Sequence, residues 1–229
     1  MKVLKLFLVL VFFLGCSKNE NIKQFETVLG KENSETLTYL VEGFENDFLK
    51  KQYPELNTKK AYRQFLIDLR AESQDTREKF FKVNRNIFDS STLKLEMYCV
   101  PDSVWITKSK DSLTKGGSVS FIRTNYICAS TDDNLHTIES SSSMLGYEGL
   151  TKDSIVKIFK NRLKPNLFGK YSKALESMPN KSQFLENFIR ERQSMLSLGY
   201  YHATNRMIYN NADFDDYFIK RLVITDIVY

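Results

Sequence analysis

Two histidines, three cysteines and one knot of carboxylates hold most of the chemistry open to this 229-residue chain. His136 lies in a polar stretch, 130–143, and His202 lies in "GYYHATNRMIY", beside Tyr200, Tyr201 and Tyr209. An imidazole can carry a proton or ligate a metal near neutral pH. Neither histidine has a second histidine or a cysteine at the spacing a zinc site needs, so no metal ligand and no catalytic residue is assigned. Asp213, Asp215 and Asp216 crowd into "DFDDYF" without the D-x-D-x-D-G order and distal glutamate of a calcium loop. Acids just before an apolar helical run serve more simply at the positive end of the helix. "STDDN" at 130–134 reads as a loop. P-loop, dinucleotide, G-x-S-x-G and H-E-x-x-H patterns are missing from the sequence, and no cofactor is expected. A hydrolytic site would have to be assembled from scattered residues: His202, Asp213, Asp215 and Asp216, with Glu191 or Arg192.

Three further features bear on binding. Tyr200, Tyr201, His202 and Tyr209 form a candidate contact patch, since aromatic side chains anchor interfaces. "KIFKNRLK", 157–164, is basic on one side and apolar on the other, which suits either an anionic surface or an ordinary amphipathic helix. Asp102-Ser103-Val104, Asp111-Ser112-Leu113 and Asp153-Ser154-Ile155 resemble the Asp-Ser-aliphatic acceptor sites of Bacteroidota O-glycosylation.

The elements that must position these residues are mostly helical. Leu37, Leu40, Val41, Phe44 and Phe48 fall on one helical face, and Pro54 ends that segment. Asn57 or Thr58 can cap a second helix carrying Tyr62, Phe65, Leu66 and Leu69. Asp75 and Glu78 form a capping box ahead of Phe80, Phe81, Val83, Ile87 and Phe88. From Leu93 to Cys99 the pattern has period two, and 118–128 is rich in β-formers, so 92–129 reads as a short hairpin. The Ser/Thr/Asp-rich stretch 130–143 reads as a mobile loop. Helices resume at Thr151 or Asp153, before Pro165, and near Phe168 to Met178. Asn180 with Gln183 opens the next, and Gly199 is placed to close it. Phe218, Ile219, Leu222, Val223 and Ile227 make a last apolar face. The fold class expected is mainly α: an irregular helical bundle with a short β-hairpin at about 92–129.

Composition agrees with a folded chain: 42% hydrophobic, 27% charged, with 9 glycines and 4 prolines. So few turn formers argue against a turn-rich sandwich. The net charge is +5, with acids interleaved among the bases, which excludes a nucleic-acid stripe.

The N-terminus carries the most specific signal. Lys2 and Lys5 precede an unbroken apolar run, 6–14, too short for the roughly 20 residues of a membrane span but right for a signal peptide. An ordinary secretory signal fits those residues. Phe13-Leu14-Gly15-Cys16, however, resembles the lipobox of bacterial lipoproteins. That resemblance implies cleavage after Gly15 and acylation (palmitate) of Cys16. Ser17-Lys18-Asn19-Glu20 resembles the start of surface-exported Bacteroidota lipoproteins. "FENDFLKKQYPELNTKKAYRQFLIDL", "GKYSKALESM" and "DFDDYFIKRLVITDIVY" look like stretches of flavobacterial lipoproteins, which implies a mostly helical exported domain and brings no activity.

These readings divide the chain into a signal peptide, 1–15, expected as a helix packed on nothing, a polar tether, 16–34, and a single mostly helical domain, 35–229. Cys99 and Cys128 are then the remaining cysteines, either disulfide-bonded, as export favours, or reduced and buried. The function expected is a lipid-anchored envelope protein, at the outer membrane facing the periplasm or the outside. It would bind a partner such as another envelope protein without catalysis. The alternatives are an envelope hydrolase with a dispersed site and a membrane-tethered immunity protein.

Overall fold

The computed structural model describes residues 20–71, 84–110, 118–132, 134–147, 149–194 and 199–229. The signal segment 1–15, Cys16, the capping box at Asp75 and Glu78, Phe80, Phe81, Val83 and the Asp111-Ser112 motif lie outside them. Helices predominate, as the periodicity predicts. The described residues divide into two compact units: Leu95–Lys170 contains one, and the described residues on either side of it make the other. The reason is that the middle of the chain forms long strands, which pair with each other and close their own small core. No helix among the described residues is long and apolar enough to cross a membrane.

The helical unit begins earlier than the expected tether allows. Residues 20–29 form α1, and Phe25 and Leu29 on it are fully buried. They stand four apart, one helical stripe, in a stretch whose other residues are mostly polar. Phe25 meets Phe218 edge-on at 5.5 Å between centroids and Tyr171 at 6.1 Å. Gly30, at φ 87, turns the chain into α2 (Lys31–Gly43), which continues through a π-helical turn, Phe44–Leu49, into α3 (Lys50–Gln52). The left-handed backbone at Gly30 is a conformation that costs side-chain-bearing residues. Asn57 caps α4 (Thr58–Ala71) by accepting from the Lys60 N–H at 3.0 Å. The face of α4 predicted to be apolar, Tyr62, Phe65, Leu66 and Leu69, is buried. Short helices α5 (Arg85–Ser90) and α6 (Leu93–Met97) follow, and the other unit begins within α6, at Leu95.

The C-terminal half of this unit adds α8 (Lys170–Ser177), α9 (Gln183–Ser194), α10 (Tyr200–Tyr209) and α11 (Tyr217–Val223), the last running into a π-helical turn, Ile224–Val228. Ser182, not Asn180, caps α9: its Oγ accepts from the Leu185 N–H at 3.2 Å. Asn180 instead donates its N–H to the side chain of Asn21 on α1. Gly199 stands before α10 with φ −50, so it opens that helix and is not the left-handed residue after α9.

In the other unit, β1 (Tyr98–Lys110), β2 (Ser118–Ala129), β3 (Leu135–Ser143) and β4 (Lys164–Pro165) form an antiparallel sheet in the order β3-β2-β1-β4. This is larger than the hairpin expected, and it differs at both ends. Leu93–Met97 is helical because Leu93 and Met97, four apart, are both buried, so the apparent alternation there was a helical stripe. The predicted loop 130–143 contributes β3. Its polar composition hides a strand because β3 is an edge strand whose side chains are largely exposed, and its backbone is satisfied by β2. α7 (Lys152–Lys160), capped by Thr151 through the Ser154 N–H, lays Ile155 and Phe159 against Ile122, Val104 and Ile106.

Candidate functional site

The four residues of the aromatic patch belong to α10. Ala203, Thr204 and Met207 point that helix into the core, which leaves Tyr201 (51% exposed), His202 and Tyr209 (72%) facing solvent and Tyr200 half-buried. The His202 ring meets that of Tyr201 at 5.9 Å between centroids. Tyr209 is held from α4, where the Arg70 guanidinium donates to its hydroxyl at 3.3 Å and lies 5.8 Å from its ring.

The carboxylates considered for a dispersed site are employed elsewhere. Asp213 and Asp215 both receive the Lys59 ammonium, at 2.6 and 3.1 Å, and their hydrogen bonds raise the Lys59 pKa. Asp216 caps α11, accepting from the N–H groups of Phe218 (2.8 Å) and Ile219 (3.2 Å). That is the role its position before an apolar run suggested. Glu191 binds Arg206. Arg192 is inside the unit, donating to Asp226 at 3.0 Å and to Ser172 at 2.9 Å. Thr225 completes this network by donating to Asp226 and meeting the Tyr171 hydroxyl, each at 2.7 Å. Burial holds the Tyr171 phenol far above its ordinary range. None of these carboxylates is brought onto His202. Among the described residues no group of three His, Cys, Asp or Glu side chains is placed to hold a metal.

The sheet unit contains the cysteine pair. Cys99 and Cys128 are disulfide-bonded across β1 and β2, with Cα atoms 4.3 Å apart and both side chains buried beside Tyr126. Val100 pairs with Ile127, so the two cysteines are the next facing positions along the ladder. Their spacing is that of a non-hydrogen-bonded antiparallel pair, where side chains approach most closely. Beside them, fully buried Asn166 donates to the carbonyls of Leu95 (2.8 Å) and Ala129 (2.7 Å) and accepts from the N–H groups of Phe168 (2.9 Å) and Gly169 (3.1 Å). A side chain at 169 would put its Cβ 2.3 Å from the Glu96 carbonyl, so only glycine fits. Nothing in the composition signals Asn166, whose partners are up to 71 residues away.

The remaining motifs separate. His136 is exposed on β3, across from Cys128. Asp132 accepts from the Asn134 amide at 2.9 Å, which holds its carboxyl below the usual range and makes this turn self-contained. "KIFKNRLK" buries Phe159 and leaves Lys157 and Lys160 in solvent; past the helix end, Lys164 rests over the Tyr126 ring, 4.8 Å from its centroid. Burial, and then the charge of Arg162, lower the Lys164 pKa.

One surface was missed at the sequence level. The register turns Val104 and Ile106 toward α7 and therefore turns Trp105 and Thr107 to the opposite face of the sheet. Trp105, the chain's single tryptophan, is 37% exposed there. Alternation in "VWIT" was the available signal, but it does not say which face a helix covers. Comparison with protein-family models, with curated proteins and with solved structures found no match.

Proposed function

We propose that this protein is a bacterial lipoprotein held in the cell envelope by lipid on Cys16, with a folded part that binds a partner and does not catalyse. The observation that carries the envelope reading is the Cys99–Cys128 disulfide. Disulfides persist in oxidising compartments outside the cytoplasm, and this one leaves Cys16 as the chain's remaining cysteine. Cys16 follows an apolar run ended by Gly15, the pattern an acylating enzyme reads. Several acyl chains, each adding about 0.8 kcal/mol per buried CH₂, give a durable anchor. The outer membrane is the destination, facing the periplasm or the exterior. The partner-binding half is supported by aromatic side chains left in solvent on α10 while the charged residues nearby are tied into structural pairs.

Metabolic labelling with an alkynyl palmitate, followed by membrane fractionation, tests the anchor. The wild-type chain takes label and sediments with membranes, and Cys16→Ser does neither. Label retained by Cys16→Ser, or a wholly soluble wild-type chain, overturns it. Capture from native membranes tests the second half: recovery no greater than with an unrelated lipoprotein ends the partner-binding reading.

A further inference from the structure

Residues 144–164 of the sheet unit expose aliphatic side chains beside basic ones. Met144 and Tyr147 turn inward onto Ile155 and Phe159, and the Tyr147 and Phe159 rings meet edge-on at 5.5 Å. Two successive turns shape the loop between β3 and α7: the Tyr147 N–H donates to the Met144 carbonyl (3.1 Å) and the Leu150 N–H to that of Tyr147 (3.2 Å). Leu145 and Leu150 are left outside, 78% and 48% exposed, and Ile158 on α7 is 43% exposed beside buried Phe159. The bases lie on the same helix and just past it, where Lys152, Lys157, Lys160 and Arg162 are exposed. In the helical unit Lys59 and Lys220 sit on carboxylates, whereas no carboxylate among the described residues forms an ion pair with Lys152, Lys157 or Lys160. The stretch has five basic residues against two acidic ones, Glu148 and Asp153. Asp153 falls in the first turn of α7, the end of a helix that favours a carboxylate.

We propose that this surface rests on a phospholipid bilayer carrying anionic headgroups, with Leu145, Leu150 and Ile158 entering the boundary between headgroups and acyl chains. Three features select lipid. First, aliphatic side chains set among lysines suit a membrane interface: the apolar tips leave water, the lysine stems lie along them, and the ammonium groups reach the phosphates. Second, the exposed large apolar side chains of this stretch are two leucines and an isoleucine. A single-stranded nucleic acid would stack its bases on exposed aromatics, and a protein interface concentrates aromatics while it is depleted in lysine. Third, the bases outnumber the acids, and anionic headgroups complement that excess where neutral ones do not. Three aliphatic side chains and a few lysines make a weak contact. Its role in the cell rests on the reading that lipid on Cys16 already holds the chain at a membrane, because a tethered surface meets the bilayer at high effective concentration. The anchor then supplies attachment, and this surface fixes how the sheet unit lies on the leaflet.

The test uses residues 17–229, which keep every described residue and omit both the lipid and the apolar run 6–14, a segment that would enter vesicles by itself. The probes are vesicles of phosphatidylcholine alone and vesicles with roughly one-third phosphatidylglycerol, read by sedimentation. The chain binds the anionic vesicles and not the neutral ones, and high salt releases it. Lys157→Gln with Lys160→Gln weakens binding about tenfold or more. Leu145→Ser with Ile158→Ser weakens it severalfold with the charge unchanged. Tyr201→Ala with Tyr209→Ala, on α10, leaves it as it was. Circular dichroism and a thiol assay of each variant show that the sheet and its disulfide remain. No binding to the anionic vesicles overturns the proposal, as does equal binding to the neutral ones or an unchanged affinity in the Lys157→Gln, Lys160→Gln chain. So does a photo-crosslinker at position 158 that captures an envelope protein, and not lipid, in intact cells. Failure here is distinct from failure of the anchor: a Cys16 that takes no palmitate leaves the vesicle result standing, and a labelled protein whose residues 17–229 ignore vesicles keeps the anchor and loses this surface.

Discussion

The two units of this chain are held together by different devices. The helical unit takes many polar groups inside and pairs most of them, while Thr204 Oγ1 and Arg221 Nε are buried without a partner. Arg192, Asp226, Ser172, Thr225 and Tyr171 form one closed network. Arg221 is also buried, donating to Thr38 at 2.7 Å with its guanidinium stacked on Tyr217, whose hydroxyl donates to Glu26. The sheet unit has a smaller core: α7 covers one face, and a disulfide and the Asn166 clamp tie the strand ends. Closed networks define a fold and leave few groups for a ligand.

That contrast can be broken most sharply at Asp226. Asp226→Asn leaves Arg192 buried without its counter-ion and destabilises the helical unit by about 3–5 kcal/mol. Urea unfolding with amide exchange read on α8 and α9 checks it. A loss below about 1 kcal/mol would show that the network does not hold the unit together.

Removing the disulfide by Cys99→Ala with Cys128→Ala costs about 2–4 kcal/mol, because the bridge closes a long loop of the unfolded chain. Here exchange accelerates in β1 and β2 while α9 and α11 are unaffected. Equal acceleration in both units would mean that they do not respond separately.

A smaller effect is expected at the entrance to α11. Asp216→Ala leaves two N–H groups without their cap and lowers stability by about 1 kcal/mol in a thermal melt. A cost as large as that of Asp226→Asn would place Asp216 in something more than a cap.

The smallest concerns Asp89, which is partly exposed. Burial opposes its ionisation, but hydrogen bonds from Lys94 (2.8 Å) and Arg85 (3.1 Å) prevail and hold its carboxyl below the usual range. A depressed folded value means that the carboxylate stabilises above its unfolded value and loses that contribution as pH falls through the folded one. Asp89→Asn therefore costs less than about 1 kcal/mol at neutral pH, and the difference from wild type vanishes in acid. A difference that persists below the carboxylate range would rule out the charge as its source.

Local patterns were legible where one stretch supplied both signal and structure. Tyr62, Phe65, Leu66 and Leu69 lie within eight residues and are buried as their spacing predicts. Asn57 and Thr151 were readable as caps because a cap acts within three residues. Other features were not, since their partners are remote or their pattern was diluted. Lys59 finds Asp213 across 154 positions. α1 carries only a sparse apolar stripe among polar residues. β3 has no buried face to impose alternation.

The sequence by itself determined the apolar run ending at Cys16, the predominance of helix and the apolar faces that build the helical unit. Those depend on residue type and short-range periodicity, which the chain carries without folding. Only the tertiary structure decided that Cys99 lies opposite Cys128, that the carboxylates near the C-terminus serve caps and ion pairs, and that Trp105 faces away from α7. Each depends on strand register or on which element covers which face, and a one-residue slip in β1 would have turned Trp105 inward and left Ile106 in solvent.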